Sequence, residues 1–240
     1  MTTESSIRVL HRLDEMQQLR STADRVWGSG TGEMVSADFL MALSHAGGYV
    51  AGAFVENANG SESMVACSFG VLARHRDDWC LHSHITGVVA ELQNSGLGGR
   101  LKNHQKQWAL DAGLTAITWT FDPLVRRNAW FNIERLGANA VEFHVDFYGP
   151  LDDEINGDDE TDRLLARWDI RESSIRDVDP ATTLSIETPA DIVALRRADP
   201  VAARAWRLKM RQQLGAAFVS HEITGFTSSG SYLLTPKGRS

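Results

Sequence analysis

The stretch Gly87–Leu110, "GVVAELQNSGLGGRLKNHQKQWAL", joins an apolar, strand-like run to a long periodic segment. Glycine is a poor helix residue, yet Gly96, Gly98 and Gly99 stand where a helix has to begin. Free amides at a helix start, together with the helix dipole, attract phosphate groups, and a missing side chain lets the anion approach the backbone. The stretch predicts an anion-binding turn, with an ordinary strand-to-helix connection as the simpler alternative.

The patterns around this turn predict an α/β chain. The Asn57–Gly60 segment between two apolar runs favours an antiparallel hairpin. Ser36 stands directly before a helix-like segment and is predicted to be its N-cap. Up to about Ile170 the predicted order is β-α-α-β-β-β-α-β-α-β-β, which favours one mixed, mostly antiparallel sheet with helices on both faces. Residues 171–240 predict a small appended α/β unit, with a helix broken at Pro200 and a final hairpin. We expect two domains, residues 1–170 and residues 171–240.

The composition is that of a globular protein with an acidic surface. The net charge of −7 argues against a nucleic-acid partner, and no apolar run approaches the about 20 residues that cross a membrane. The first residues lack the basic flank and apolar core of a signal peptide, so we expect a cytoplasmic protein. Two cysteines, Cys67 and Cys80, are too few for a disulfide framework and are expected to be reduced.

Residues Val88–Gly98 resemble the acyl-CoA signature of the GNAT superfamily of acyl-CoA N-acyltransferases, V-x-P-E-x-[RQ]-x-x-G-[ILV]-G. The match includes a valine, the glutamate, the glutamine and both glycines, with Ala90 in place of the common proline. The segment Asn128–Gly137 resembles a second pattern of the family, N-x-A-x-x-[LF]-Y-x-x-x-G-F, with an offset of one residue. The resemblance covers residues 1–170 and leaves residues 171–240 without an assigned role.

The resemblance implies a GNAT-like α/β fold and an enzyme that transfers an acetyl or other short acyl group. The donor would be acetyl-CoA or another acyl-CoA, and the acceptor an amine of a small molecule, joined directly in a ternary complex. No metal and no membrane are expected, and a homodimer is left open. The cofactor-binding residues implied by the family are Val88, Val89, Gln93, Asn94, Ser95, Gly96, Leu97, Gly98, Gly99, Asn128 and Asn132.

The catalytic groups are less clear in the sequence. The family's usual tyrosine, which protonates the leaving thiolate, falls at Ile133. His82 and His84 are two residues apart and so share one side of a strand, and imidazole accepts a proton near neutral pH. We take Asp122, His84 and Glu91 as candidate catalytic residues. Each also has a structural explanation, as a turn aspartate, a packed histidine and a surface glutamate.

Three further functions stay open at this point, one of them a pure interaction protein, which would not need an intact anion-binding turn. The missing tyrosine favours a protein that binds acyl-CoA without turnover, and a GNAT fold can also carry other chemistry on a CoA thioester. The segment 151–162 has seven acidic residues and is predicted to be a solvated loop that could gather a cationic acceptor. The sequence does not identify the acceptor or the length of the acyl chain.

Overall fold

A computed structural model describes residues 5–28, 35–149, 159–171 and 183–238. In these ranges the strands are β1 (Ser5–Val9), β2 (Tyr49–Glu56), β3 (Glu62–His75), β4 (Asp78–Val88), β5 (Ala116–Phe121), β6 (Asn139–His144), β7 (Arg163–Asp169), β8 (Leu184–Glu187), β9 (His221–Phe226) and β10 (Ser231–Pro236). The helices are α1 (Leu13–Trp27), α2 (Ala37–His45), α3 (Leu97–Asp111), α4 (Arg126–Trp130), α5 (Ile192–Ala198) and α6 (Pro200–Ala217). A π-helical turn, Phe131–Arg135, continues α4.

The strands form two sheets. The larger sheet has the order β1-β2-β3-β4-β5-β7-β6, and the smaller sheet has the order β8-β10-β9. Neighbours from β1 to β4 are antiparallel, as are β6 with β7 and both pairs of the small sheet. The predicted mixed, mostly antiparallel α/β architecture with a small C-terminal α/β part is confirmed. None of the helices in the described ranges is both long and apolar enough to cross a membrane.

The chain divides into two compact units, and the first is Met1–Ile117. Its sheet is covered on both faces, and successive residues of β3 such as Ala66 and Cys67 point to opposite sides. Cys67 packs into a cluster with residues of α1 and α2, namely Met16, Leu19 and Leu40. Ala66 packs with Leu97 and Leu101 of α3. Burial on each side therefore fixes which face of the sheet carries α3.

Local signals in this unit act as predicted. The hairpin at Asn57–Gly60 is confirmed, because Glu56 pairs with Glu62 and the two strands run antiparallel. Ser36 caps α2, and its hydroxyl accepts a hydrogen bond from the amide of Phe39 at 3.3 Å. Both features depend on residues close together in the chain.

The second compact unit is Thr118–Ser240, and the predicted domain boundary near residue 170 lies inside it. Asp122, directly after β5, forms ion pairs with Arg196 of α5 and Arg207 of α6. These pairs join described residues before position 170 to described residues after position 183. The boundary by compactness thus falls at 117/118, while the extent of the GNAT-like part, residues 1–170, stays a prediction.

Candidate functional site

The predicted anion-binding turn lies in the first unit, between β4 and α3. A short 3-10 turn, Ala90–Leu92, follows β4 and leads to Gly96, the N-cap of α3. Gly96 has a φ of 84°, in the left-handed region that favours glycine. Asn94 has a positive φ of 63°, which asparagine tolerates better than most residues. Backbone geometry alone therefore explains the glycine at position 96.

Gly98 has no such explanation. Its φ is not positive, and a Cβ built there would have Val88 Cγ2, at 3.8 Å, as its nearest neighbour. This is ordinary van der Waals contact, so neither dihedral angles nor packing requires glycine. In a helix, glycine is less favourable than alanine by about 1 kcal/mol. The bare position leaves space beside the start of α3, which a ligand close to the backbone would need.

The first amides of α3 are potential donors to an anion. The first hydrogen bond within the helix runs from the Arg100 amide to the Gly96 carbonyl at 3.1 Å. The amides of Leu97, Gly98 and Gly99 precede this bond, and helix starts leave such amides without intrahelical acceptors. Leu97 donates to the Ser95 hydroxyl at 3.4 Å. The helix dipole adds positive potential here, so the turn suits an anion.

The basic side chains behind the turn are engaged by the protein. Arg100 donates to the Ser5 hydroxyl at 2.9 Å and also to the Ser5 carbonyl. Lys102 is buried and donates to the Ser83 hydroxyl and to Gln105 Oε1, both at 2.9 Å. An anion at the turn would therefore depend chiefly on backbone amides.

The two residues predicted to contact pantetheine at the end of β4, Val88 and Val89, differ in their hydrogen bonds. Val89 donates its amide to the Val65 carbonyl at 3.0 Å, and its carbonyl accepts from the Leu92 amide at 3.0 Å. The Val88 carbonyl accepts a longer hydrogen bond, 3.5 Å, from the side chain of exposed Gln93. The backbone of Val89 is thus already used by the chain, whereas the contact at Val88 is easily displaced.

Strand β4 contains a β-bulge at His84. Phe69 of β3 pairs with Ile85 and the next residue, Gly70, pairs with Ser83, so His84 is an extra residue. The bulge interrupts the simple alternation from which His82 and His84 were predicted to share one side. The His84 ring lies 5.2 Å from the ring of Phe69, between centroids.

Both histidines of β4 favour the neutral form. Burial lowers the pKa of His84. Burial also lowers the pKa of His82, and the nearby charges of His84 and Lys102 lower it further. Because an unperturbed histidine already titrates below pH 7, both rings are neutral there and able to accept a proton.

The two candidate carboxylates have contrasting surroundings. Glu91 is exposed, and its nearest ion-pair contact is Arg25 at 3.7 Å. Asp122, in the second unit, is buried and accepts two hydrogen bonds from Arg207, at 3.0 and 2.9 Å, and one from Arg196. Burial alone would raise the pKa of Asp122, but the charge and hydrogen bonds of Arg207, with the charge of Arg196, lower it. Asp122 is therefore a weak proton acceptor.

The second unit also holds the two asparagines predicted to contact CoA. Asn128 is exposed on α4. Asn132 is buried in the π-helical turn, where its carbonyl accepts from the Ala138 amide at 2.9 Å. Ile133, at the position of the usual tyrosine, is buried. The contacts of Asn128 and Asn132 with CoA stay a prediction.

The chain has three tyrosines, and two of them are buried. The Tyr49 hydroxyl lies 2.9 Å from His104 Nδ1, and the Tyr232 hydroxyl donates to the Pro123 carbonyl at 2.8 Å. Tyr148 is 38% exposed, with its hydroxyl 2.9 Å from the Thr120 hydroxyl. Tyr148 is therefore the tyrosine whose hydroxyl a ligand could reach.

A ring of hydrogen-bonded side chains, missed by the sequence reasoning, links α3 to β3 and β4. Lys102 donates to Ser83 and to Gln105, Gln105 donates to Ser68 at 3.2 Å, and Thr86 lies 2.8 Å from Ser68 and 3.4 Å from Ser83. We call these five residues the Lys102 ring. The sequence contained a signal for this cluster, because Gln105 is a polar residue on the apolar stripe of the helix. Lys102 lies three residues before it, about one helical turn away.

Known proteins resemble this chain in their fold. No protein-family model matches the chain, and no curated protein matches it. Among solved structures, the acetyltransferase of GNAT family from Streptococcus pneumoniae matches with a TM-score of 0.50 and 16% identity, covering 68% of this chain and 98% of that chain. The chain has the GNAT fold.

Two further structures with this similarity have more specific descriptions. The ribosomal-protein-S18-alanine N-acetyltransferase from Escherichia coli has a TM-score of 0.54 and 14% identity, covering 73% of this chain and 100% of that chain. The NatC complex bound to Gag peptide and CoA has a TM-score of 0.52 and 13% identity, covering 69% of this chain and 98% of that chain. At sequence identities this low, the structural similarity shows the fold alone. At the level of the fold it confirms the GNAT resemblance.

Proposed function

We propose that the chain is an acyl-CoA-dependent N-acyltransferase that transfers an acetyl or other short acyl group to an amine of a small molecule. The observation that carries this proposal is the bare turn at the start of α3. Gly98 is required neither by its dihedral angles nor by its packing, and its missing side chain leaves space beside the start of the helix. Solved acetyltransferases share the fold, and one such structure contains CoA.

In this proposal the amides from Asn94 to Gly99 bind the diphosphate of the acyl-CoA, and the Val88 carbonyl accepts from the pantetheine arm. Neutral His84 takes one proton from the cationic acceptor, and the free amine then attacks the thioester carbonyl. The new C–N bond forms, the C–S bond breaks, and CoA leaves as a thiolate that takes up the second proton lost by the nitrogen. Glu91 is exposed and is assigned a minor role, and Asp122 is assigned to stabilising the second unit.

The acceptor proposed here is a small cationic amine in the cytoplasm. A net charge of −7 raises the local concentration of cations around the protein. Of the acidic loop predicted to gather the acceptor, residues 151–158 lie outside the described residues. The described acidic side chains of this loop pair instead with arginines of α5 and α6: Asp159 with Arg196 and Arg207, and Glu160 and Asp162 with Arg211.

The turn is tested by substituting Gly98→Trp and titrating CoA by calorimetry. The indole would project into the open space beside α3, so we expect at least a tenfold weaker Kd with the melting temperature little changed. Gly215→Trp in α6 is the matched control, because it is also a helical glycine with open space around a built Cβ. Unchanged affinity in Gly98→Trp would show that the diphosphate does not bind at this turn.

A second candidate function is a protein that binds acyl-CoA without transferring the acyl group. The observation in its favour is Ile133, buried where the family's usual tyrosine would stand. Release of free thiol from acetyl-CoA across a panel of small amines separates the two functions. Binding of acetyl-CoA without thiol release from any amine would favour the second candidate.

A further inference from the structure

The Lys102 ring joins α3 to β3 and to the bulged strand β4. Lys102 and Gln105 belong to α3, Ser83 and Thr86 to β4, and Ser68 to β3. Four of the five side chains are less than 5% exposed, with Thr86 partly buried. Ser83 and Thr86 are three residues apart, and their hydroxyls reach the same ring because the bulge at His84 lies between them. The ring therefore connects the middle of α3 to the distorted part of β4.

The position of Lys102 along α3 relates it to the proposed diphosphate site, because its backbone lies about 6 Å further along the helix axis than that of Gly98. A buried cation is screened less by salt than an exposed one, so an anion bound at the start of the same helix favours the charged form of the lysine. Burial lowers the pKa of Lys102 to about 7, so its proton is easily lost at the pH of the cell.

Resting on the proposed function, we propose that Lys102 is a positioning residue that binds a proton together with the acyl-CoA diphosphate, and that the Lys102 ring transmits this charge to β4. When Lys102 is charged, it donates to Ser83, and the Ser83 hydroxyl is free to donate to Thr86. When Lys102 is neutral, Ser83 can donate to its nitrogen instead, and the longest link of the ring, 3.4 Å to Thr86, is lost. Because the diphosphate is an anion, acyl-CoA binds more tightly when Lys102 is charged.

Other titratable groups of the first unit that face α3 do not replace Lys102 in this role. Burial lowers the pKa of His82 of β4, and the charges of His84 and Lys102 lower it further. From β2, buried Tyr49 meets His104 of α3, and burial raises the pKa of Tyr49 and lowers that of His104. From β3 the facing group is the Ser68 hydroxyl. At pH 8 these histidines are neutral and Tyr49 is protonated, so proton uptake at this pH reports on Lys102.

The test is calorimetric titration of dephospho-CoA at pH 6.5 and pH 8.5, and at pH 8 in two buffers with different ionisation enthalpies. Dephospho-CoA lacks the phosphate monoester, which itself titrates near neutral pH. For the wild type we expect proton uptake at pH 8 and a three- to tenfold weaker Kd at pH 8.5. This change corresponds to a pKa rise of about half to one unit on binding.

Two variants and one control decide the outcome. Lys102→Met should bind without proton uptake and with a Kd that is independent of pH, whereas Lys106→Met, one turn further along α3, should behave like the wild type. If Lys102→Met does not fold, Gln105→Glu serves instead. Its carboxylate would hold Lys102 charged at both pH values, and the loss of affinity at pH 8.5 should disappear.

The outcomes separate this inference from the proposed function. Binding by the wild type with equal affinity at both pH values and no proton uptake would overturn the role of Lys102 and leave the CoA site intact. Proton uptake that persists in Lys102→Met would also overturn it. Failure of the wild type to bind CoA or dephospho-CoA at any pH would overturn the proposed function, and the inference with it.

Discussion

Lys102 illustrates how a single buried side chain makes the stability of a fold depend on pH. In the folded protein, burial lowers its pKa to about 7, whereas in the unfolded chain a lysine titrates at about 10.4. Below pH 7 both states hold the proton, and the folded state bears the full cost of burying a cation. Between pH 7 and about 10.4 the unfolded state binds more protons, so the free energy of unfolding rises with pH.

We expect this rise to be about 1.4 kcal/mol for each pH unit above 7 and to be absent in Lys102→Met. The free energies of unfolding in urea at pH 6, 7, 8 and 9 measure it, as the difference between wild type and variant. Lys106→Met should follow the wild type. A difference that is constant over this range would mean that Lys102 keeps an ordinary pKa in the folded protein.

At the scale of single elements, the cap of α2 is a separable contribution. Ser36 accepts a hydrogen bond from the Phe39 amide. Ser36→Ala removes this acceptor and should lower the free energy of unfolding by about 1 kcal/mol, while Ser36→Gly should lower it by a few tenths. Urea unfolding of the two variants side by side provides the measurement. An unchanged free energy of unfolding in Ser36→Ala would show that the hydroxyl does not cap the helix.

The elements predicted correctly share a local origin. The Asn57–Gly60 hairpin, the Ser36 cap and the start of α6 at Pro200 each depend on residues within a few positions of one another. The bulge at His84 and the π-helical turn Phe131–Arg135 could not be predicted in this way. A bulge arises from the register between two strands, and a π turn from packing around the helix, so neither has a short sequence signature.

At the scale of the whole molecule, buried ion pairs join the described residues before position 172 of the second unit to the described residues after position 182. Asp122 accepts hydrogen bonds from both Arg196 and Arg207, and Arg207 is fully buried. Asp159 is a second partner of both arginines. Removing one charge from such a cluster leaves its partner buried without full compensation, which is far more costly than losing an exposed pair.

Asp122→Asn should therefore lower the free energy of unfolding of the protein by about 3–5 kcal/mol. Asp169→Asn is the matched control, because Asp169 pairs with Arg167 at 2.8 Å but is itself 38% exposed. The control should lose less than about 1 kcal/mol. If urea unfolding shows similar small losses for both variants, the cluster around Asp122 does not hold the second unit together.

The distance along the chain between interacting residues explains how much of the candidate site could be predicted. The glycine turn is a local backbone feature, and the sequence around Gly96 and Gly98 shows it directly. The Lys102 ring gathers side chains from α3, β3 and β4, which are up to 37 residues apart in the chain. The ion-paired state of Asp122 likewise depends on arginines that lie 74 and 85 residues further along the chain. Such environments require the folded arrangement.

Under the proposed function, the residue at position 98 affects thermal stability and acyl-CoA affinity in opposite directions. A library sorted solely for survival at high temperature would enrich Gly98→Ala, because the added methyl group meets Val88 at a comfortable 3.8 Å and helix propensity improves. In the proposed function, that same methyl group would fill the gap through which the diphosphate of acyl-CoA reaches the peptide amides. Clones recovered from such a library would tolerate heating well and would need far more acyl-CoA to work.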